Sequence, residues 1–209
     1  ATYIRGDSGS RHDDGSQGAG DVSQSPSVPP RARTPIQHGD LPFTIRRDGV
    51  WLYQGSPIER KELVCLFASV LRRDADGMWW LKTPAETGRI VVEDAPFIAV
   101  EVDWTGQTET QVLSFRTNID KVVTAGPDHP IRVALNGHDD EPTPYIVVEQ
   151  GDGAFPIEAR INRATYYELV ALAEVCTVGD RDMLGVWSRG CFFPLGEVPK
   201  DDLPEDDES

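Results

Sequence analysis

The sequence predicts an α+β protein built from two internally duplicated strand–helix–strand units with mostly antiparallel sheets. Three observations carry that prediction. Strand-like runs punctuated by Gly, Pro, Asn and Asp fill most of the middle of the chain, and only two stretches show helical periodicity. Those two stretches also share a string: residues 58–66 read IERKELVCL and residues 161–172 read INRATYYELVAL, so Ile-x-Arg followed by Glu-Leu-Val-x-Leu occurs twice.

The elements are predicted in order as follows. TIRRDGVWLY reads as a hairpin about Asp48-Gly49, a pair expected to supply the positive φ angles of a type I′ turn. In GSPIERKELVCLFASVLRRDADG, Leu63, Leu66, Phe67 and Val70 fall at i, i+3, i+4 and i+7, with Val64 and Leu71 widening the stripe, so an amphipathic helix is expected. Its start has two readings: a capping box at Ser56-Pro57-x-Glu59, or a boundary near residue 59. MWWLKTP and GRIVVEDAPFIAVEVDW read as strands with a turn marked by Pro84 and Gly88. TETQVLSFRT and KVVTAG follow, hinged by NID, and then IRVAL. NGHDDEPTP is a polar surface excursion. YIVVEQGDGAFPIEARI is a strand pair about Gly151-Asp152-Gly153, and a second helix runs from about Arg163 to Cys176 with Asn162 as N-cap. MLGVWSRGCFFPLG closes the ordered part with one or two strands.

Leu63, Val64, Leu66, Phe67 and Val70 correspond to Leu169, Val170, Leu172, Ala173 and Cys176 at one constant offset. Each helix is followed by a Trp-bearing strand, GMWWLK and GVWSRG. A shared order of elements favours duplication over chance likeness of common helix residues. The expected units are residues 40–104 and 105–199. Residues 1–38 hold few large apolar side chains, and 200–209 form an acidic run; neither composition offsets chain entropy, so both are expected to be disordered tails.

Formal net charge is −15 over 209 residues. Setting aside the net single negative charge of residues 1–40 and the six acids of the carboxyl-terminal tail leaves −8 on the core. With no clustered Lys/Arg stripe, a duplex nucleic-acid partner is not expected. No apolar run is long enough to span a bilayer, and the amino-terminal stretch lacks the apolar region of a signal peptide. Cys65, Cys176 and Cys191 form no C-x-x-C pair and read as reduced, buried thiols. A cytoplasmic protein without membrane association is expected.

Few patterns carry chemistry. His129 and His138 stand alone in loops without zinc spacing, so no metal is expected. There is no Gly-x-Ser-x-Gly, no P-loop and no dinucleotide fingerprint. Glu101 and Asp103 share a strand face and are the best pair for a small carboxylate-based hydrolase or isomerase; an adaptor docking through its acidic tail is a third reading. No cofactor is expected and catalysis is not favoured. The remaining candidates are ligand-binding groups. Asn118, His129 and Arg132 cluster in FRTNIDK and GPDHPIRV, Asn118 having a competing role as a turn residue. Trp187 and Arg189 are expected to face one way, as an aromatic platform with a positive handle. Arg60 and Arg163 open the two helices, where N–H groups favour an anion.

The blocks RDGVWLYQGSPIERKELVCLFASVLRRDADGMWWLKTP, RIVVEDAPFIAVEV, FRTNIDKVVTAGPDHPIRV and LGVWSRGCFFPLG resemble, in order and across residues 40–198, a bacterial family known as domain of unknown function 1285. The resemblance implies a duplicated α+β core, a second half loosely like a pleckstrin-homology barrel, a pocket between the halves for a nucleotide-like ligand, and a part in bacterial signal transduction. It carries over no catalytic residues. The expected function is therefore a non-enzymatic sensor that binds a small molecule between its halves.

Overall fold

Hydrogen bonding of one long strand organises the first half. The computed structural model describes residues 36–135 and 142–198; residues 136–141 of the polar excursion, and the expected tails apart from 36–38, lie outside them. Strand β1 (Ile36–Ile45) pairs antiparallel with β2 (Trp51–Tyr53) and parallel with β6 (Glu86–Val92). A parallel neighbour needs a crossover, and the chain between them supplies β3 (Ser56–Pro57), helix α1 (Lys61–Ser69), β4 (Leu71–Arg73) and β5 (Trp79–Lys82). The resulting six-stranded sheet runs β3-β2-β1-β6-β5-β4.

The second half repeats the mixture with a different order. Strands β7 (Phe97–Thr105), β8 (Val112–Thr117), β9 (Val122–Thr124), β10 (Ile131–Leu135), β11 (Pro142–Glu149) and β12 (Ile157–Ile161) form a sheet ordered β10-β11-β12-β7-β8-β9. Only β12 and β7 in it are parallel. Strand β11 is buried from Pro144 through Val148, which requires cover on both faces. Helix α2 (Arg163–Ala171) leaves β12 and leads into a third sheet, β13 (Glu174–Val178), β14 (Arg181–Ser188) and β15 (Cys191–Glu197). Among the described residues the protein is thus mostly β with two α-helices, two mixed sheets and a third that is wholly antiparallel. The first two sheets divide between Val92 and Phe97, so β7 belongs to the second sheet although the sequence placed it at the end of the first unit.

Several local expectations are corrected. In the β1–β2 connection only Gly49 has positive φ, at 82°; Gly49 N donates to Arg46 O, and the Asp48 carboxylate instead accepts from Val50 N. The two-residue loops with both φ positive are Gln54-Gly55 and Arg189-Gly190. Arg189 therefore occupies a turn and does not share a strand face with Trp187. Helix α1 begins after Arg60, and Ser56-Pro57 is a strand rather than a capping box. Val70 is the C-cap of α1 and Leu71 starts β4. Helix α2 stops at Ala171, because Val175, Thr177 and Val178 are β-branched residues that pair with β14.

Each helix leads into a three-stranded antiparallel meander, with Trp80 and Trp187 on the two middle strands. The shared letters, however, sit one turn out of phase. Glu62 is the second residue of α1 and Glu168 the sixth of α2, so Leu63 is 37 % exposed whereas its counterpart Leu169 is fully buried.

Specific contacts lock the halves together. Gly49 approaches the second sheet so closely that a Cβ there would lie 2.6 Å from Ile98 Cγ1. Beside it, Asn118 accepts from Ile98 N at 3.0 Å and donates to Gly49 O at 3.4 Å. Lys61 of α1 pairs with Asp120 at 2.6 Å, and Arg73 donates to Pro156 O at 2.7 Å. The third sheet is pinned by Ser188, which is wholly buried; its Oγ accepts from Leu113 N at 3.0 Å and donates to Ala125 O at 2.8 Å. Ser188→Ala leaves both backbone groups unsatisfied in the interior, and a stability loss of about 2–3 kcal/mol is expected in chemical denaturation. A change below about 0.5 kcal/mol would show that the hydroxyl does not hold the sheets together.

Candidate functional site

Where β12 ends, Asn162 takes an extended conformation and its side chain accepts from Thr165 N at 2.8 Å, starting α2. This cap places Arg163 and Tyr166 beside Arg160, the one residue of β12 that is not buried. Together with Thr143, Pro144 and Tyr167 they line a groove of about 420 Å³. Among the described residues no carboxylate lines it. Tyr166 is half-buried and its phenol is pushed up by that burial, whereas the Tyr167 ring is 62 % exposed.

Arg160 carries this groove to the junction of the halves. Its Nη2 donates to Arg47 O at 2.8 Å, and its buried Nε stands 3.4 Å from Asp94 Oδ2 without completing a hydrogen bond. The other Asp94 oxygen accepts from the Tyr145 hydroxyl at 2.8 Å. Arg132 lies over the Tyr145 ring at 4.4 Å and is itself held by both Glu158 oxygens, at 2.6 and 2.7 Å. Arg132, Tyr145, Asp94 and Arg160 form a connected polar chain behind the groove.

A second groove, about 610 Å³, lies between α1 and the first sheet. Leu41, Phe43, Ile58, Leu63, Phe67 and Leu81 make it apolar, and Glu59, Arg60 and Glu86 border it. Phe43 contacts Tyr53 and Phe67 with ring centroids at 4.9 and 4.8 Å. Each groove is lined by residues of one half alone.

The structure distributes the expected ligand-binding residues rather than gathering them. Arg163 lines the α2 groove and Arg60 the α1 groove. Asn118 is occupied in the junction by the two bonds described above. His129 Nδ1 is 3.0 Å from Val147 O in a tight turn closed on Gly126, and Arg132 is engaged by Glu158. Trp187 packs on Phe192 at 5.2 Å, and Arg189 donates its backbone N–H to Gln111 O. Of the carboxylate pair, Glu101 is bound to Arg116 and Asp103 is exposed; neither lines either groove. Arg116 is held above its ordinary pKa chiefly by the hydrogen bond it donates to Glu101. Among the described residues no group of three or more His, Cys, Asp and Glu could hold a metal ion, and no helix is long and apolar enough to cross a membrane.

Sequence reasoning missed Arg160, Tyr166 and Tyr167. One signal was present: Arg160 and Glu158 alternate in the short strand IEARI, followed by adjacent tyrosines on a helix with a weak apolar stripe.

Burial, reinforced by the bond to Asp94, pushes the Tyr145 phenol up to about 12. The fold therefore favours the protonated phenol. Its contribution is complete below pH ~10, the ordinary phenol value, and is lost as pH rises toward about 12. Tyr145→Phe should lower stability by about 1–2 kcal/mol at neutral pH and flatten the fall in stability between pH ~10 and ~12, read by denaturation at a series of pH values. An unchanged alkaline profile would place the shifted phenol elsewhere.

Comparison with known proteins agrees with the division of the sheets. A family model described as "Domain of unknown function (DUF1285), N-terminal domain" matches residues 29–95, and one described as "Protein of unknown function (DUF1285), C-terminal domain" matches residues 96–195. The crystal structure of a DUF1285 family protein from Silicibacter pomeroyi DSS-3 is similar at 42 % identity and a TM-score of 0.70, covering 79 % of this chain and 85 % of that one. A DUF1285 family protein from Shewanella baltica OS155 is similar at 29 % identity and a TM-score of 0.47, covering 63 % of this chain and 91 % of that one. No curated protein matches. Both family models meet in the linker where the first sheet gives way to the second, and the chain belongs to the DUF1285 family.

Proposed function

We propose that this protein is a non-enzymatic binding protein, serving as a sensor in bacterial signalling, that takes a small anionic ligand bearing a planar ring in the groove at the start of α2. The ligand is nucleotide-like in chemistry. The observation that carries this reading is the composition of the groove: two guanidinium groups, two phenol rings and, among the described residues, no carboxylate, on a chain of net charge −15. Arginine forks match phosphate oxygens, and a tyrosine ring offers a face to a base. The apolar α1 groove lacks that balance, since Glu59 and Glu86 offset Arg60 along its border. The same proposal treats the two helix–meander units as copies of one ancestor, the second half being loosely pleckstrin-homology-like. Its support is the matched order of helix, meander and mid-meander tryptophan.

Calorimetry and thermal shift against inorganic phosphate, pyrophosphate and nucleoside mono- and diphosphates test the reading. At least one nucleotide should bind more tightly than the ring-free anions, with affinity falling as salt is raised. Arg163→Ala should weaken it by roughly 10-fold or more, the loss of one charge-assisted hydrogen bond. Tyr167→Ala should weaken it without altering thermal stability, because that ring is exposed. Silence from the whole panel, or binding indifferent to both replacements, overturns the proposal.

A further inference from the structure

Arg160 belongs to two assemblies at once. Its side chain lines the α2 groove, yet the same guanidinium reaches Arg47 O in the β1–β2 turn of the first half and Asp94 in the linker between the sheets. Two of its nitrogens are under-used. Nε is buried without a hydrogen bond, and Nη1 makes none among the described residues. A buried donor without an acceptor is costly, so the side chain is held in place by neighbours that do not fully satisfy it.

We infer that Arg160 couples the α2 groove to the junction of the halves: an anion bound at Nη1 fixes the guanidinium plane in the position where Nη2 holds Arg47. This rests on the anion-binding reading above and adds regulation to that site. The guanidinium is a rigid fork, so fixing one arm orients the others. The turn it grips is otherwise held by Arg47 N to Glu93 Oε2, Gly49 N to Arg46 O, Arg46 N to Val50 O, Val50 N to Asp48 Oδ1, the exposed Arg46–Asp48 pair and the long Asn118 Nδ2 bond to Gly49 O. Its amides therefore report the junction directly. Coupling is reciprocal, so a junction that is tightened by ligand also tightens the ligand.

Hydrogen exchange of the full chain tests this, with adenosine diphosphate as probe and pyrophosphate as the ring-free control. Saturating adenosine diphosphate should slow exchange across residues 46–50 by about fivefold or more, the lower end of ordinary allosteric coupling. Arg160→Lys should bind adenosine diphosphate more weakly, because the fork that meets the anion is gone. At a concentration that saturates the variant the slowing across 46–50 should nevertheless vanish, because a single ammonium cannot serve groove and turn together. Binding to the unaltered protein with no change across 46–50 overturns the coupling and leaves the binding proposal standing. Slowing that survives Arg160→Lys also overturns it. If adenosine diphosphate does not bind, the exchange measurement is made with whichever nucleotide of the panel does, and silence from the whole panel brings both proposals down together.

Discussion

The two adjacent acids Glu93 and Asp94 fix where the halves meet, and the rest of the architecture depends on their arrangement. Glu93 accepts from Arg47 N and so grips the β1–β2 turn of the first half. Asp94, only 17 % exposed, accepts from Tyr145 and pairs with Arg160, two residues of the second sheet. A carboxylate withdrawn from water is tolerated only with donors arranged around it, and here the donors come from strands far apart in sequence. The linker thereby sets the spacing of the two sheets. Arg160 closes the circuit by returning to Arg47 O, so turn, linker and strand brace one another.

The same neighbourhood sets Arg160 apart from the other arginines of this acidic chain. Elsewhere, several arginines are matched with acids: Arg116 with Glu101 and Asp120, Arg132 with Glu158, Arg181 with Glu197, Arg89 with Asp40. Each pair is self-contained and contributes little to the field at a distance. Around α2, Arg160 also stands beside an acid, Asp94, yet its side chain lines a groove bordered, among the described residues, by Arg163, Tyr166 and Tyr167 and by no carboxylate. Exposed charges beyond roughly 10 Å are screened at ordinary salt, so the local set outweighs the distant negative excess for a ligand inside the groove.

Strands, turns and the helix cap were legible in the sequence because each is written in a few adjacent residues. Asn162 caps α2, the strands sit where apolar runs lie between Gly, Pro and Asp, and two amphipathic stretches became the two helices. The errors share a physical cause. Leu71 and Val175 carry on a helical apolar pattern, yet pairing with β5 and β14 makes them strand; tertiary hydrogen bonds decide where local preference is nearly neutral. The I′ turn was assigned to Asp48-Gly49 on dipeptide preference, whereas the loop at Arg189-Gly190 takes that geometry because strand pairing fixes its length at two residues. The groove was least legible. Thr143 and Pro144, Arg160, and Tyr166 with Tyr167 come from three elements, and no spacing rule joins them until β11 and β12 pair.

The contrast between the two helices shows why likeness of architecture need not carry likeness of task. Helix α1 has no fully buried residue, and its apolar side slopes into a trough between helix and sheet. Helix α2 buries Thr165 and Leu169, and this draws its polar and aromatic first turn onto the end of β12. The difference follows from the one-turn shift between the matched letters. Moving Glu-Leu-Val-x-Leu toward the end of α2 brings the sequence Arg163-Ala-Thr-Tyr-Tyr into the first turn, where Lys61-Glu-Leu-Val-Cys stands in α1. A shift of that size preserves the helix, the meander and its tryptophan, yet exchanges an oily mouth for one lined by guanidinium and phenol. Two helix–meander units can therefore share a plan while their helices present different chemistry at the first turn.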